Sequence, residues 1–370
     1  MADAFSLGVR AQDELAFFDL ELPALGDGDV LVRTLYSGLS AGTELTYLKG
    51  TDPGFGSRRD PELGVFVPGE ASRTYPVTAM GYMEVAEVTK SRRPDLSEGS
   101  LVAAAYGHRS AHVLAGGAVA VPVPSDVEPI LGIYLAQMGP ICANGLLHAA
   151  AEFSRDADVR LGGGVRDRAV LVTGAGVVGL LTALFARHHG AGDVLVTDPD
   201  PRRLAVAAAL GLDVVDESTT ELWHESKTRW VHGAGDRGAD LVFQCRGRSA
   251  VLHEALRSLR PQGVVIDMAF YTGGAGDLRL GEEFHHNGLT IRCAQIGRVP
   301  RGLGDTWDRQ RLAGETGRLL AAAGDAIRRH LITDVVPVRE APDVIAALSR
   351  RERSAVQVVL DFTPADAVAP

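Results

Sequence analysis

The residues with the clearest chemical purpose are three glycines and a carboxylate. Gly174-x-Gly176-x-x-Gly179 interrupts an apolar run that begins at Ala169, and the next apolar run ends on Asp198. At this spacing Gly174 permits a tight turn, Gly176 lets a pyrophosphate approach the main chain, and Gly179 lets a helix pack closely on its strand. The N–H groups at the helix start, with Val177 and Val178, then face the ligand's negative charge. A carboxylate at the tip of the second strand accepts hydrogen bonds from an adenosine ribose and repels a 2′-phosphate. The pattern predicts a dinucleotide site for NAD. NADP stays open if Arg202 and Arg203 take a 2′-phosphate; otherwise Arg203 packs against adenine.

Such a turn needs a strand before it and an alternating strand–helix frame around it. From Ala169 to about Gly297 the sequence supplies one. Val194–Thr197, Ala239–Phe243, Gly263–Asp267 and Leu289–Arg292 read as strands, with helical patterns at Pro201–Leu210 and Ala250–Leu259. That alternation specifies a doubly wound parallel sheet of α/β class. Residues 1 to about 135 differ. Asp29–Tyr36, Glu84–Thr89 and Leu101–Tyr106 are short β-like runs between turn residues, which suggests a barrel-like β domain. Pro129–Glu152 reads as helix with a break or start at Gly139-Pro140. After Arg298 a polar loop leads to a helix at Gly314–Arg329. A strand at Val335–Val338, a helix at Ala341–Arg350, a strand at Ala355–Leu360 and a frayed tail follow.

The composition narrows the function classes. With 370 residues the chain has room for two domains, and its 46% hydrophobic and 23% charged residues are ordinary for a soluble protein. A net charge of −10 argues against nucleic-acid and anionic-membrane partners. No apolar run approaches a spanning helix, and the N-terminus lacks a basic start followed by an apolar core, so a cytoplasmic location is expected. Cys142, Cys245 and Cys293 are too scattered for a disulfide framework. His108 and His112 would pair on a helix as metal ligands. Ala111–Gly117 reads as strand and turn, so one exposed and one packed histidine are expected.

Over nearly its whole length the chain resembles the medium-chain dehydrogenase/reductase superfamily. Leu22–Gly38 resembles that family's first strands and Ala355–Leu360 its last. Ser37–Leu45 and Phe284–Gly297 resemble the branch around bacteriochlorophyllide dehydrogenases. The resemblance implies a Rossmann domain (139–298) inserted in a GroES-like β-barrel catalytic domain (1–138), which residues 299–370 complete. It also implies a homodimer or homotetramer. Where zinc members carry ligands, this chain has Ser40 or Ala41, Tyr82 in place of a histidine, and Gly139-Pro140. It also has no cysteine before Cys142 to build a four-cysteine lobe. Zinc needs about four N, S or O ligands. The expectation is an enzyme without metal.

Without zinc, a side chain or water must take the alcohol proton. Tyr82 either meets the substrate oxygen or fills the vacated site. Glu44, in the Gly42–Glu44 turn, is a base or a structural acceptor. Ser40 and Thr43 relay a proton or cap backbone. His108, with a pKa suited to acid–base work, competes with Tyr82. His285, His286 and Asn287 bind a polar substrate or decorate a subunit edge. By resemblance Cys245, Arg246, Phe270, Tyr271, Gln295 and Ile296 line the nicotinamide side. The expected function is NAD-dependent interconversion of a secondary alcohol and a ketone on a polar small molecule such as a sugar, cyclitol, nucleoside or natural-product intermediate. The rivals are an enone or quinone reductase using NADPH and a non-catalytic dinucleotide-binding protein.

Overall fold

Residues 4–154 and 159–363 are described by the structure, a computed structural model. The end of the expected tail, 364–370, lies outside them. The chain divides into two units, Met1–Gln137 with Ile332–Pro370, and Met138–Leu331.

The first unit opens with the antiparallel pair β1 (Ala4–Ala11) and β2 (Glu14–Leu20). Then comes β3 (Val30–Gly38), whose residues alternate between buried and part-exposed from Val30 to Leu35, as a strand covered on one face does. Gly42–Glu44, expected as a turn, lie instead in helix α1 (Ala41–Leu48). Leu48 is buried in the unit's apolar core, and that packing outweighs the poor helix propensity of Gly42. Strands β4 (Glu84–Ser91), β5 (Leu101–Ala104), β6 (Ala111–Leu114) and β7 (Ala120–Pro122) follow.

The second unit starts at helix α2 (Met138–Phe153), with Pro140 in its first turn where a missing N–H costs nothing. The long helix expected from Pro129 is thus two pieces, a 3₁₀ turn at Pro129–Tyr134 and α2. Next come β8 (Ala169–Thr173), α3 (Val177–His188), β9 (Asp193–Asp198), α4 (Pro201–Ala209) and β10 (Asp213–Asp216). Helix α5 (Leu222–Arg229), β11 (Ala239–Gln244), α6 (Ser249–Ser258), β12 (Leu259–Asp267) and β13 (Thr290–Cys293) complete the sheet region. The strands pair in the order β10-β9-β8-β11-β12-β13, all parallel. All five β8 residues are buried, as a strand covered on both faces requires. The order reverses beside β8, so the carboxyl end of β8 is the switch point at which such sheets bind ligands.

The return to the first unit comes at Ile332 rather than near 299. Helix α7 (Arg309–Ala326) packs on α2 and α3, burying Leu312, Leu319 and Leu320. Its Thr316 is so close to Gly139 that an added Cβ there would lie 2.1 Å from Thr316 Cγ2. Then β14 (Ile332–Pro337), α8 (Ala341–Ser349) and β15 (Gln357–Asp361) complete a seven-stranded sheet in which β15 lies beside β3. Val358, Leu360 and Phe362 join Leu7, Val9 and Leu48 in one buried cluster. Among the described residues no helix is long and apolar enough to cross a membrane.

Both histidines of the His108/His112 pair are buried, against the expectation that one is exposed. His112 Nε2 lies 2.7 Å from Glu84 Oε2, and the Thr34 hydroxyl donates to Glu84 Oε1 at 2.5 Å. Glu84→Ala strips two buried groups of their acceptor. It is expected to lower the free energy of unfolding by about 3 kcal/mol, read from the urea midpoint. A loss under about 1 kcal/mol would match a surface pair and contradict this role.

Candidate active site

Ser40 occupies the N-cap position of α1, but its side chain does not cap the helix. Glu44, one turn on, accepts the Ser40 N–H through Oε1 at 2.7 Å. Ser40 Oγ is thereby free for the Tyr82 hydroxyl, to which it is hydrogen-bonded. Thr43 Oγ1 lies 3.4 Å from the same phenol. Behind this cluster Glu44 Oε2 is 2.7 Å from His108 Nε2, and His108 Nδ1 is 2.8 Å from Ser37 Oγ. His108 stands at φ +54°, held there by its own N–H donating to Ser37 Oγ at 3.0 Å. Its side chain and that of Glu44 are wholly buried. Both ring nitrogens of His108 are engaged, so it holds Glu44, and through Glu44 the start of α1, in place.

Burial raises the Tyr82 phenol above its ordinary pKa, against the opposing pull of hydrogen bonds with Ser40 and Thr43, and Glu44 pushes the same way. A phenol in that state is a neutral donor at physiological pH. The lowered pKa that a base would need is the opposite of what the site produces. Ser40, Thr43 and Tyr82 offer hydroxyls, and the imidazole and carboxylate nearby are bonded to each other. The three hydroxyls are not among the thiolate, imidazole and carboxylate ligands that zinc selects.

In the second unit Gly174 sits at φ +102°, and its N–H donates to Thr197 O at 2.7 Å. Gly176 is the N-cap of α3 with no side chain closing the helix end, so the first-turn N–H groups of Val177, Val178 and Gly179 point outward. A Cβ built on Gly176 would meet one atom within 4 Å, Arg203 Nη1 at 3.9 Å, whereas one on Gly179 would lie 1.8 Å from Gly174 O. Gly179 is therefore needed for packing and Gly176 leaves an open approach. These residues fit a pyrophosphate. Asp198 is nearly buried, its Oδ2 accepting Ala175 N–H and its Oδ1 accepting Asp200 N–H, both at 2.9 Å. Each oxygen keeps a lone pair for a ribose hydroxyl. Arg203 Nη1 stands 4.0 Å from Asp198 Oδ2, and Arg202 is held by Asp200 through Nε at 3.1 Å and Nη2 at 3.2 Å.

Of the residues expected on the nicotinamide side, Cys245, Arg246, Phe270, Tyr271, Gln295 and Ile296 all follow carboxyl ends of parallel strands. The Arg246 side chain packs over Gly174, where an added Cβ would lie 2.6 Å from Arg246 Cγ, and its guanidinium pairs with Glu217. Burial pushes the Cys245 thiol up. Phe270 is exposed, and Gln295 Oε1 accepts Gly297 N–H at 2.6 Å. Gln295 and Ile296 border a cavity of about 710 Å³ with His148 and Trp307. His285 and His286 lie exposed in a one-turn helix, Glu283–His286, and Asn287 accepts Gln262 N–H at 2.9 Å. All three precede β13 at its amino end. Because the sheet is parallel, that is the edge opposite the ligand-binding one, which removes them from a substrate role there.

Sequence reasoning missed the polar residues that end the apolar strands. Gln244 accepts the Thr173 hydroxyl and donates to Arg246 O at 2.6 Å and to Tyr271 Oη at 3.2 Å. Tyr271 in turn donates to Asp267 Oδ1 at 3.2 Å. Burial raises both Tyr271 and Asp267. The available signal was a single polar residue closing each of AVLVT, ADLVFQ and GVVID.

Residues 177–304 match the family model described as zinc-binding dehydrogenase. Sorbitol dehydrogenase of Arabidopsis thaliana is 37% identical over 97 residues, 26% of this chain and 27% of that protein. L-Threonine 3-dehydrogenase of Symbiobacterium thermophilum is 27% identical over 203 residues, 55% of this chain and 54% of that protein. These matches span from about a quarter to about half the length of the curated relatives. Among solved structures, alcohol dehydrogenase TADH from Thermus sp. ATN1 superposes with a TM-score of 0.72 at 20% identity, covering 96% of this chain and 99% of that one. That likeness shows the fold.

The two glycines make a paired test. Gly176→Ala is expected to leave Tm unchanged and to weaken NAD binding at least ~10-fold by filling the phosphate approach. Gly179→Ala is expected to lower stability by about 1–3 kcal/mol or more through overpacking. Thermal melts and a fluorescence titration separate the two; equal loss of Tm in both variants would contradict the assignment.

Proposed function

We propose that this chain is a nicotinamide-dependent dehydrogenase of the medium-chain alcohol dehydrogenase family that interconverts a secondary alcohol and a ketone on a polar, polyol-like small molecule, without a catalytic metal. The observation that carries the reading is the mutually bonded Ser40–Tyr82–Thr43 hydroxyl cluster on the Glu44–His108 pair, where the family resemblance implies metal ligands. The names of the sorbitol and threonine dehydrogenase relatives support an alcohol substrate. The phrases Ser37–Leu45 and Phe284–Gly297 support the zinc-free branch around bacteriochlorophyllide dehydrogenases.

The nucleotide, when bound, supplies the hydride donor or acceptor. The main-chain N–H groups of Val177, Val178 and Gly179 hold its pyrophosphate, and Asp198 takes the ribose hydroxyls. Arg202 and Arg203 already face Asp200 and Asp198, which favours NAD over NADP. Tyr82, kept neutral by burial, donates to the substrate oxygen and stabilises its developing charge. Ser40 Oγ and Thr43 Oγ1 hold the phenol's orientation and pass protons between the site and solvent water. In ketone reduction Tyr82 gives its proton to the substrate oxygen and regains one through them. In alcohol oxidation the alcohol proton leaves to water by the same hydroxyls. The edge strand β13 offers a place for a second copy in a homodimer or homotetramer.

A neutral phenol donor also suits carbonyl polarisation in an enone reductase, so the assay must separate the two. Turnover of polyols with NAD is expected to survive exhaustive chelation. Tyr82→Phe is expected to lower kcat by on the order of 10²-fold with NAD affinity unchanged. Loss of turnover together with a bound metal would overturn the metal-free reading. Turnover of enones with NADPH and of no alcohol would replace the substrate class, and NAD binding without any turnover would leave a binding protein.

A further inference from the structure

Helix α6 and the residues leading into β13 enclose a surface recess of about 480 Å³ in the second unit, lined by His253, Arg257, Asp277, Glu282 and Glu283 among others. A ring nitrogen of His253 and one carboxylate oxygen from each of Glu282 and Glu283 lie within 4.8 Å of one another. His253 Nδ1 and Glu283 Oε2 are buried atoms with no hydrogen-bond partner. Buried polar atoms left unbonded are costly, and a coordinated ion or a water satisfies them. The neighbouring cationic side chains do not. Arg257 Nε and Arg279 Nη1 form ion pairs of 3.7 Å with Glu283 Oε1 and Glu282 Oε1, too long for hydrogen bonds, and neither reaches Glu283 Oε2 or His253 Nδ1. Arg257 gives its Nη1 to Glu254 Oε1 at 2.8 Å, and Lys227 acts on Glu283 only through longer-range attraction.

We propose that His253, Glu282 and Glu283 form a binding site for a divalent transition cation of zinc-like chemistry. One imidazole nitrogen and two carboxylate oxygens are a borderline donor set that favours such ions over calcium or magnesium. Small side-chain rotations bring the three atoms to the spacing of bonds about 2 Å long, with water completing the shell. The ion clamps α6 to the segment that enters the edge strand β13, and it neutralises two adjacent carboxylates. The site belongs to the second unit, whereas Ser40 and Tyr82 belong to the first. Its role is structural, and it stands whether or not the metal-free reading of the hydroxyl cluster holds.

The test uses the full-length protein stripped with chelator and titrated with Zn²⁺ by calorimetry, alongside thermal melts. One ion per chain and a rise in Tm are expected for the wild type. His253→Gln and Glu282→Gln should each weaken binding at least tenfold, with metal-free Tm as in the wild type. Glu282 is 52% exposed, so its substitution does not threaten the fold. Tyr82→Phe should keep the ion. No stoichiometric binding, or binding that neither substitution weakens, would overturn the site.

Discussion

At the switch point of the parallel sheet, helix α3 starts against the backbone it follows. A methyl group on its third residue would lie 1.8 Å from the carbonyl oxygen of Gly174. The turn is tied sideways as well, with Gly174 N–H donating to Thr197 O and Ala175 N–H donating to Asp198. The fully buried Leu180, Ala183 and Phe185 hold the helix down. Because helix, turn and second strand are locked together, the open first-turn N–H groups and the Asp198 carboxylate keep a fixed relation to one another. A ligand entering here meets donors and acceptor already in place, which spares the cost of ordering them. The same closeness leaves no tolerance at Gly179, while a methyl group on Gly176 would meet only Arg203 Nη1, at 3.9 Å.

The first unit solves a related problem with carboxylates. Glu84 and Glu44 are both buried beside an imidazole, yet they do different work. Glu84 links the central strands through Thr34 and His112 and exposes nothing. Glu44 spends one oxygen on His108 and the other on the Ser40 N–H. That second bond takes over the capping task a serine hydroxyl normally performs at a helix start. The hydroxyl is left to engage Tyr82, so the chemistry available at the cluster depends on a hydrogen bond made by the neighbouring backbone. Leaving either carboxylate without its histidine would strand an acceptor in the core, and each pair is therefore a structural unit as much as a local one.

The parallel sheet of the second unit was legible because its strands are continuous apolar runs and its glycines have one mechanical use each. Asp198 was legible for the same reason, as the polar stop on such a run. What stayed hidden was set by partners far away in sequence. Glu44 looks like an ordinary turn acid until His108 arrives from 64 residues on. Gly42 advertises a turn, and Leu48 packing makes a helix. The placement of His285, His286 and Asn287 follows from strand direction, which no local pattern around them records. The boundary near 299 moved to Ile332 because α7 has its apolar face filled by α2 and α3, a preference its own periodicity does not reveal.

Gln357, the first residue of β15, donates through Nε2 to the carbonyl of Leu39, 318 residues earlier. Strand β15 is thus paired with a strand from the far side of the second unit in sequence. The second unit, by contrast, is one contiguous stretch of chain, Met138–Leu331. Closing the sheet of the first unit therefore pairs segments that lie on either side of the whole second unit, and that pairing carries the larger loop-closure cost.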